Sequence, residues 1–414
     1  MAMIELLTIG DELLLGATID TNAAFLGERL SAAGFRVVRH TTVGDDRSAI
    51  RQALGDALAR TRCVLCTGGL GPTPDDLTRP VVAEYYGVAL RLDQDWLAVI
   101  EQRFRARGFA MPANNRQQAL VPAGATLLPN ARGTAPGLAL ADPSLGITVL
   151  LPGVPAELQE LLEEQVLPYL IRQLGPQQPI RSCTLRTTGL AESMLAERLA
   201  GVLDELPQLT LAYLPTGIGI DLRLTIWGGL DELRARSVLG EGERRVRERV
   251  GDLIYGTGRE DLAAVVGARL REHGMRLAVA ESCTGGLLAA RITAVPGSSE
   301  YFLGGTVAYA NSVKEGLLGV REQTLQEYGA VSEQVALELA RGAAQATGAE
   351  CSLAVTGIAG PGGGTADKPV GTVWVAAGVS GHGRALRHRF AGTREEIRAR
   401  AAQAALALLL RRLT

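Results

Sequence analysis

The chain has 414 residues, of which 47% are hydrophobic and 21% are charged. At roughly 100–200 residues per domain this predicts two to four globular domains, and the composition excludes a largely disordered protein. No apolar run reaches the roughly 20 residues of a membrane span and the start of the sequence lacks a secretory signal, so we expect a cytoplasmic protein with no membrane partner. A net charge of −2 makes nucleic-acid binding unexpected as well.

Residues 1–172 alternate short apolar runs with amphipathic stretches. Strands are predicted over 4–9, 35–42, 63–66 and 147–151, and helices over 21–33 and 47–59. This spacing indicates an α/β domain with a parallel sheet covered on both faces. The strand at 63–66 carries Cys63 and Cys66, which lack a second pair or nearby histidines and are better interpreted as buried apolar thiols than as zinc ligands.

A glycine- and proline-containing segment at 175–179 is typical of a linker. After it, strands at 181–187, 209–214 and 218–227 and helices at 191–202 and 231–250 predict a small α+β module over 173–255. Arginine and glutamate interleave along the second helix. This pattern favours a solvated face over a nucleic-acid surface.

Residues 256–414 read as a second α/β domain. The predicted strands are 276–280, 305–309, 351–356 and 370–379, and the predicted helices are 260–273, 285–293, 332–347 and 394–410. The fold class is therefore two α/β domains joined by a small α+β module.

Two strands of the N-terminal domain run directly into polar loops. The first is followed by Asp11 and Glu12, and the second by three glycines and an acidic pair, Gly68, Gly69, Gly71, Asp75 and Asp76. Ligands of open parallel sheets bind outside the carboxyl ends of the strands. Glycines allow backbone N–H groups to approach a phosphate, and adjacent carboxylates can hold a divalent cation. A plain glycine turn is the alternative.

The strand at 276–280 runs into Ser282 at the start of a predicted helix, where backbone N–H groups suit a nucleophile beside an oxyanion hole. His382 is predicted to lie in a plain turn, which argues against a Ser-His-Asp triad. Lys314 follows the strand at 305–309, and a Ser-Lys pair works when burial lowers the pKa of the lysine. Of 42 basic residues only Lys314 and Lys368 are lysines. Cys283 as the nucleophile and Ser282 as a helix N-cap remain alternatives.

Taken together, these loops closely resemble the CinA (competence/damage-inducible protein) family over essentially the whole chain. For the N-terminal domain the resemblance implies a molybdopterin-binding fold and a divalent-metal-dependent (Mg, Mn or Co) ADP-ribose pyrophosphatase. Asp75 and Asp76 would be the metal ligands, and the nucleotide would be bound by Glu12, Gly68, Gly69, Gly71 and Thr73. Molybdopterin is a competing ligand, which the residues leave open.

For residues 256–414 the resemblance implies a nicotinamide-nucleotide amidase, which converts nicotinamide mononucleotide to nicotinic acid mononucleotide and ammonia without a cofactor. It makes Ser282 the nucleophile, Lys314 the general base and Tyr309 a supporting residue. The substrate-binding positions that it implies are Thr284, Gly285, Gly286, Thr356, Gly357, Gly360, Lys368 and Arg394. A glycine loop suits a 5′-phosphate, and the planar fork of Arg394 suits a phosphate or a carboxylate.

The sequence therefore predicts a cytoplasmic hydrolase of pyridine-nucleotide recycling with two separate sites. The resemblance to the family also implies a homodimer. In one rival interpretation the N-terminal domain only binds a nucleotide or a pterin. In another the protein is an adaptor in DNA uptake or recombination, against which stand the pI of about 6.2 and the lack of a clean basic stripe.

Overall fold

The computed structural model describes residues 2–413, and the chain forms two compact units. One comprises the described residues up to Arg181 together with Trp227–Glu232, and the other comprises Ser182–Ile226 together with the described residues from Leu233 onward. The small module and the C-terminal α/β domain fall in the same unit.

The first unit carries eight strands and seven α-helices within the described residues. Its strands are β1 (Met3–Ile9), β2 (Arg36–Val43), β3 (Cys63–Thr67), β4 (Leu90–Leu92), β5 (Leu120–Pro122), β6 (Thr126–Leu128), β7 (Gly137–Asp142) and β8 (Gly146–Leu151). Its helices are α1 (Asp11–Leu14), α2 (Thr21–Ala32), α3 (Arg47–Thr61), α4 (Thr78–Tyr85), α5 (Gln94–Ala106), α6 (Pro155–Leu161) and α7 (Leu167–Leu174).

The main sheet of this unit has the order β2-β1-β3-β8-β7-β6. The predicted parallel arrangement is confirmed for β2, β1, β3 and β8, and two antiparallel strands extend it. A short turn between β7 and β8 forces that change of direction, because parallel neighbours need a long crossover. The Asp142 carboxylate closes the turn by accepting hydrogen bonds from the N–H groups of Ser144 (2.7 Å) and Leu145 (3.0 Å).

The carboxyl ends of β1, β3 and β8 meet at one edge of this sheet. Thr67 at the end of β3 pairs with Leu151 of β8, and Thr8 of β1 pairs with Thr67. Cys63 and Cys66 are buried in β3, and burial raises the pKa of each thiol to about 12. This confirms their interpretation as buried apolar thiols.

The second unit holds two sheets. Its strands are β9 (Arg181–Thr187), β10 (Leu209–Pro215), β11 (Ile220–Ile226), β12 (Ile254–Thr257), β13 (Leu277–Glu281), β14 (Phe302–Val307), β15 (Cys351–Gly357), β16 (Thr372–Val379) and β17 (His382–Arg389). Its helices are α8 (Glu192–Arg198), α9 (Glu232–Val250), α10 (Leu262–Glu272), α11 (Leu287–Thr293), α12 (Asn311–Leu318), α13 (Glu322–Tyr328), α14 (Glu333–Thr347) and α15 (Arg394–Leu413).

The small module forms a four-stranded sheet, β10-β11-β9-β12, and the C-terminal domain a five-stranded sheet, β14-β13-β15-β16-β17. In the second sheet β13 lies between β14 and β15 and is parallel to both. Alternate residues of β13 face opposite layers: Val279 belongs to the core with α10 and α15, and Ala280 to the core with α14. The C-terminal domain is thus a three-layer α/β/α structure.

Two local details test the sequence predictions. Helix α14 begins as expected, with the Ser332 side chain accepting a hydrogen bond from the Val335 N–H (3.4 Å). The turn predicted after the strand at 370–379 is present at residues 380–381, but placing His382 in it is wrong, because His382 begins the edge strand β17. That strand escaped prediction because an edge strand has one exposed side and tolerates charged residues.

None of the helices in residues 2–413 combines the length and apolar character of a bilayer crossing.

Candidate active sites

The first candidate site lies where β13, β14 and β15 end at the same edge of the C-terminal sheet. Ser282 follows β13, and its N–H donates to the Val355 carbonyl oxygen of β15 (2.9 Å). On the other side, the Ala308 N–H, just after β14, donates to the Glu281 carbonyl oxygen (2.8 Å). The loop that carries Ser282 is therefore fixed between its two neighbouring strands.

Glu281, which sequence reasoning missed, organises the loop after β13. Its side chain is 1% exposed and accepts hydrogen bonds from the N–H groups of Gly286 (3.0 Å), Leu288 (3.0 Å) and Ala289 (2.8 Å). A carboxylate is favourable at this end of a helix because the unpaired N–H groups carry partial positive charge. The capping role suggested for Ser282 is wrong, since Glu281 fills it. An acidic residue between a buried strand and a glycine turn was the available signal.

Gly285 and Gly286 give the loop its turn, with φ of 59° and 92°. These left-handed angles delay the start of α11 to Leu287, two residues after the predicted start, and favour glycine because a Cβ would be strained there. The Thr284 carbonyl oxygen accepts hydrogen bonds from Arg398 on α15 (2.7 and 3.2 Å). The Thr284 hydroxyl oxygen is buried and has no hydrogen-bond partner within the described chain.

Lys314 lies on α12 and is 1% exposed. Its Nζ donates to the Tyr309 carbonyl oxygen (2.9 Å), and no hydrogen bond between Nζ and Ser282 is present in the described structure. Burial lowers the pKa of Lys314, and the nearby Cys283 thiol partly opposes this shift. Lys314 is thus buried beside the residue that follows Ser282.

Cys283 is itself buried, and this burial raises the pKa of its thiol to about 12. At neutral pH the group is a thiol rather than a thiolate, and the thiolate is the nucleophilic form. The environment of Cys283 therefore disfavours it as the nucleophile.

Arg394, the first residue of α15, joins two loops of the candidate site. Its Nη2 donates to the Tyr309 hydroxyl (3.0 Å), and its Nη1 donates to the Gly360 carbonyl oxygen (2.6 Å). Tyr309 lies beyond the end of β14 rather than inside the strand as predicted, and its side chain is 61% exposed.

Two other predicted residues fix the backbone around this site. The Thr356 hydroxyl is buried and donates to the Ala330 carbonyl oxygen (2.7 Å), while Gly357 is the last residue of β15. Lys368 Nζ donates to the Tyr328 carbonyl oxygen (2.6 Å). In this structure, therefore, Thr356 and Lys368 hold neighbouring segments in place.

The second candidate site is a cavity of about 510 Å³ at the carboxyl ends of β1, β3 and β8. The predicted residues that line it are Glu12, Gly68, Gly69, Gly71, Asp75 and Asp76. The turns after β8 and before β7 also contribute to its walls, as do Asp20, Asn22 and Asp45. These last three were missed by sequence reasoning, because they follow an irregular segment and an adjacent strand rather than a glycine loop.

Close packing explains the first glycines of the loop after β3. A Cβ on Gly68 would lie 2.1 Å from the Ile9 carbonyl oxygen, and one on Gly69 would lie 2.2 Å from the Thr78 hydroxyl. The Gly68 N–H already donates to the Leu151 carbonyl oxygen (3.1 Å). The glycines thus allow the loop to cross the ends of β1 and β8 at van der Waals distance.

Asp76 is engaged within this loop. Its carboxylate accepts hydrogen bonds from the Gly71 N–H (2.7 Å), the Thr73 N–H (2.8 Å) and the Thr73 hydroxyl. Asp75, in contrast, is exposed, and the nearby Thr73 side chain lowers its pKa. Of the predicted acidic pair, Asp76 shapes the loop and Asp75 presents its carboxylate to solvent.

Negative charge accumulates at the mouth of this cavity. The backbone N–H of Asp11 donates to the Asp45 carboxylate (3.0 Å). Burial raises the pKa of Asp45, the hydrogen bond from the Asp11 N–H partly opposes this shift, and the charges of Asp11, Glu12 and Asp75 add to it. Across residues 2–413 no three His, Cys, Asp or Glu side chains are arranged to hold a metal ion by themselves.

Comparisons with known proteins cover both sites. Models of three families match the chain: the CinA C-terminal domain at residues 259–413, the probable molybdopterin binding domain at 5–172, and the damage-inducible protein CinA KH domain at 182–256. A CinA-like protein of Gemmatimonas aurantiaca is 49% identical over 410 residues, which are 99% of this chain and 96% of that protein. A putative competence-damage inducible protein of Caldicellulosiruptor bescii is 42% identical over 409 residues, 99% of this chain and 98% of that one.

Among solved structures, the competence/damage inducible protein CihA from Agrobacterium tumefaciens is 42% identical, with a TM-score of 0.36. The match covers 36% of this chain and 92% of that one. The full-length relatives and the domain models together establish the assignment: the chain belongs to the CinA family.

Proposed function

We propose that the C-terminal domain hydrolyses the carboxamide of nicotinamide mononucleotide, yielding nicotinic acid mononucleotide and ammonia. The observation that carries this proposal is Lys314, a buried lysine of lowered pKa placed beside the Ser282 loop. A lysine that loses its proton more readily can act as a general base, which an arginine cannot.

In the proposed reaction, Ser282 Oγ attacks the carboxamide carbon while neutral Lys314 takes the hydroxyl proton. The Tyr309 carbonyl oxygen accepts one N–H of Lys314 and so orients the amine, which leaves its lone pair for the proton of Ser282. Lys314 then returns the proton to the departing nitrogen, and ammonia leaves. Water attacks the acyl-enzyme, transfers a proton back through Lys314, and releases the acid.

Backbone donors for the developing oxyanion are restricted by Glu281, which already accepts from Gly286, Leu288 and Ala289. Within the described residues, the Thr284 N–H has no backbone acceptor, and the Cys283 N–H is engaged only by the thiol of its own residue. We assign the oxyanion hole to these two N–H groups, because they adjoin the nucleophile and donate to no other residue.

Arg394 and the glycine loop at 357–364 would bind the 5′-phosphate. Arg394 donates two of its five N–H groups to Tyr309 and Gly360, and the other three are available to bind an anion. For Thr356 and Lys368, which the sequence predicts to contact the substrate, the hydrogen bonds to backbone carbonyl oxygens favour a positioning role.

The test is ammonia release by the full chain from nicotinamide mononucleotide, nicotinamide riboside and free nicotinamide, with and without a chelator. We expect the mononucleotide to be strongly preferred, because Arg394 has a phosphate to bind only in that substrate. Absence of ammonia from all three amides would overturn the assignment, and equal rates would overturn the phosphate site.

For the N-terminal domain we propose hydrolysis of the pyrophosphate of ADP-ribose. Its support is a cavity at the strand ends that joins a glycine loop to an excess of carboxylates. The N–H groups of Gly68 and Gly71 already donate to protein acceptors. We therefore assign the phosphate contacts to the N–H groups of Gly69 and Leu70, which have no acceptor in the described chain.

The chemistry of these residues fits a magnesium-like ion held jointly with the substrate. Such ions are commonly bound through one or two carboxylates plus substrate phosphates rather than by an all-protein cage. Asp75 and Asp45 would supply the carboxylates, while Asp76 keeps the loop in shape. A bound divalent cation would neutralise the charge of the two phosphates. If ADP-ribose survives with Mg, Mn and Co in turn, the domain is a binding module for a nucleotide or a pterin.

The DNA adaptor is the less supported alternative. Residues 182–256 contain no Gly-x-x-Gly sequence, the loop with which KH domains clamp a nucleic-acid backbone. The arginines of α9 also pair with glutamates of the same helix, as Arg245 does with Glu241 (2.7 Å) and Arg247 with Glu243 (2.8 Å). We further propose a cytoplasmic homodimer, a state that sedimentation equilibrium would test.

A further inference from the structure

The second unit contains another cavity, of about 490 Å³, which shares no lining residue with the Ser282 site. On one side lie residues from two loops of the small module, 188–191 and 216–220. On the other lie the end of β17 and four residues of α15, namely Arg400, Ala404, Ala407 and Arg411. Their spacing places them on one face of the helix, with two small alanines between two arginines.

The charge of this cavity is positive. Arg389, Arg400 and Arg411 line it together with His388, and none of the described residues lining it is acidic. Arg400 is held across the cavity by two carbonyl oxygens, that of Gly217 (Nε, 3.3 Å) and that of Ala391 (Nη1, 2.6 Å). Its guanidinium is therefore preorganised in this position.

The other two arginines lack such partners. The guanidinium groups of Arg389 and Arg411 form no hydrogen bond or ion pair with another residue of the described chain, although many arginines elsewhere in the protein are paired with glutamate. Desolvation and the charge of Arg384 lower the pKa of Arg411, and the weaker attraction of Asp252 opposes this shift. The cavity therefore concentrates positive charge, with no acidic residue in its described lining.

His388 adds an unsatisfied polar atom. Its Nε2 is buried and has no hydrogen-bond partner among residues 2–413, and its ring stacks on Phe390 with centroids 5.2 Å apart and planes 7° apart. Burial and the charge of Arg411 lower the pKa of His388, which favours the neutral imidazole at pH 7. A neutral ring can donate one N–H to an anion.

We propose that this cavity is a binding site for a small anion that carries at least two phosphate groups, separate from both hydrolytic sites. Its volume is in the usual range for small-molecule sites, roughly 300–1,000 Å³. The guanidinium fork matches phosphate oxygens in a bidentate manner. Three arginines exceed the charge of a single phosphate, and a second phosphate would balance them.

The probe is inorganic pyrophosphate, added to the full chain at low ionic strength and followed by hydrogen exchange, because exchange shows which segment is protected. We expect pyrophosphate to slow exchange in 216–220 and 388–391. Replacing Arg389 and Arg411 together by Gln should weaken this local protection at least about tenfold. The matched control is Arg341→Gln, which removes one charge from an exposed position of α14 outside the cavity and should leave protection unchanged.

Equal protection in the double variant, or none in these segments of the wild type at millimolar pyrophosphate, would overturn the proposal. If the double variant does not fold, the single variant Arg411→Gln is tested in the same way. We expect it to weaken the protection of these segments by a smaller factor, and unchanged protection would overturn the proposal. Pyrophosphate binding at the two candidate active sites would instead slow exchange in the loop after β3 or in the Ser282 loop. The test of the arginine-lined cavity is therefore independent of whether the two proposed activities are confirmed.

Discussion

The two candidate active sites occupy the same position relative to their sheets but differ in the charged side chains that surround them. Each lies at the carboxyl ends of parallel strands, next to glycines that bring backbone N–H groups forward. At the C-terminal site a lysine is buried and its pKa is lowered, whereas at the N-terminal site carboxylates crowd together and the pKa of Asp45 is raised. In the proposed functions, the first site would therefore use Lys314 as its base, and the second would need a cation to neutralise its negative charge.

The comparison indicates how one strand-end geometry would serve the two proposed chemistries. Amide hydrolysis needs a nucleophile, a base and an oxyanion hole, all of which a polypeptide supplies. Pyrophosphate hydrolysis needs charge neutralisation on two phosphates, for which a divalent ion is effective. Variants and conditions that should affect one activity and not the other test this difference between the sites.

The largest effect is expected for the Ser-Lys pair. Ser282→Ala and Lys314→Arg should each lower the rate of ammonia release by at least about a thousandfold, and the double variant should be little worse, because the two residues act as a unit. Lys314→Arg fails because a guanidinium keeps its proton. ADP-ribose cleavage should be unchanged in the same preparations.

Cys283→Ala is the matched control for this pair, since it removes the adjacent buried side chain and should keep most of the activity. An active Lys314→Arg enzyme would remove Lys314 as the base. An inactive but folded Cys283→Ala enzyme, beside an active Ser282→Ala enzyme, would transfer the nucleophile to Cys283.

The next effect is that of metal removal. A chelator, or Asp75→Asn together with Asp45→Asn, should lower ADP-ribose cleavage about a hundredfold or more while leaving ammonia release nearly intact. Asp76→Asn should also lower cleavage, but by disturbing the loop rather than by removing a ligand. A metal titration separates the two: the Asp75 variant should need more metal, and the Asp76 variant should not. Loss of both activities on chelation would mean that the sites are coupled.

The dependence on pH should separate the sites as well. The proposed amide hydrolysis requires neutral Lys314, so its kcat/KM should rise about tenfold per pH unit and level off above the pKa of Lys314, which lies below the usual 10.5. At the other site the pKa of Asp75 is lowered and that of Asp45 is raised from the usual 3.8 of an aspartate, so ADP-ribose cleavage should lose activity only under more acidic conditions. Coincident profiles would contradict the comparison.

The smallest expected effect is on stability. Glu281→Ala leaves three N–H groups near the start of α11 without their acceptor and should cost about 2 kcal/mol, measured as a shift of the urea midpoint for the C-terminal unit. Glu333→Ala, at an exposed position in the first turn of α14, is the control and should cost under about 0.5 kcal/mol. Equal costs would show that Glu281 is not a structural cap.

The sequence by itself determined the features that depend on local patterns. Short apolar runs predicted β1, β3, β13 and β15 to within one residue at every end, because a buried strand needs a short continuous apolar segment. The loops holding Ser282 and Gly68 were also predicted, since residues directly after such strands must lie at the sheet edge.

The tertiary structure alone decided features that depend on contacts between distant segments. It extended the N-terminal sheet with antiparallel strands, formed the charged edge strand β17, and placed Asp45 among the carboxylates of other loops. It also directed the Glu281 carboxylate to the N–H groups of α11 and engaged Asp76 within its own loop. The physical reason is that burial and hydrogen-bond partners, which set the pKa of Lys314 and the role of each carboxylate, are properties of the folded neighbourhood rather than of the residue type.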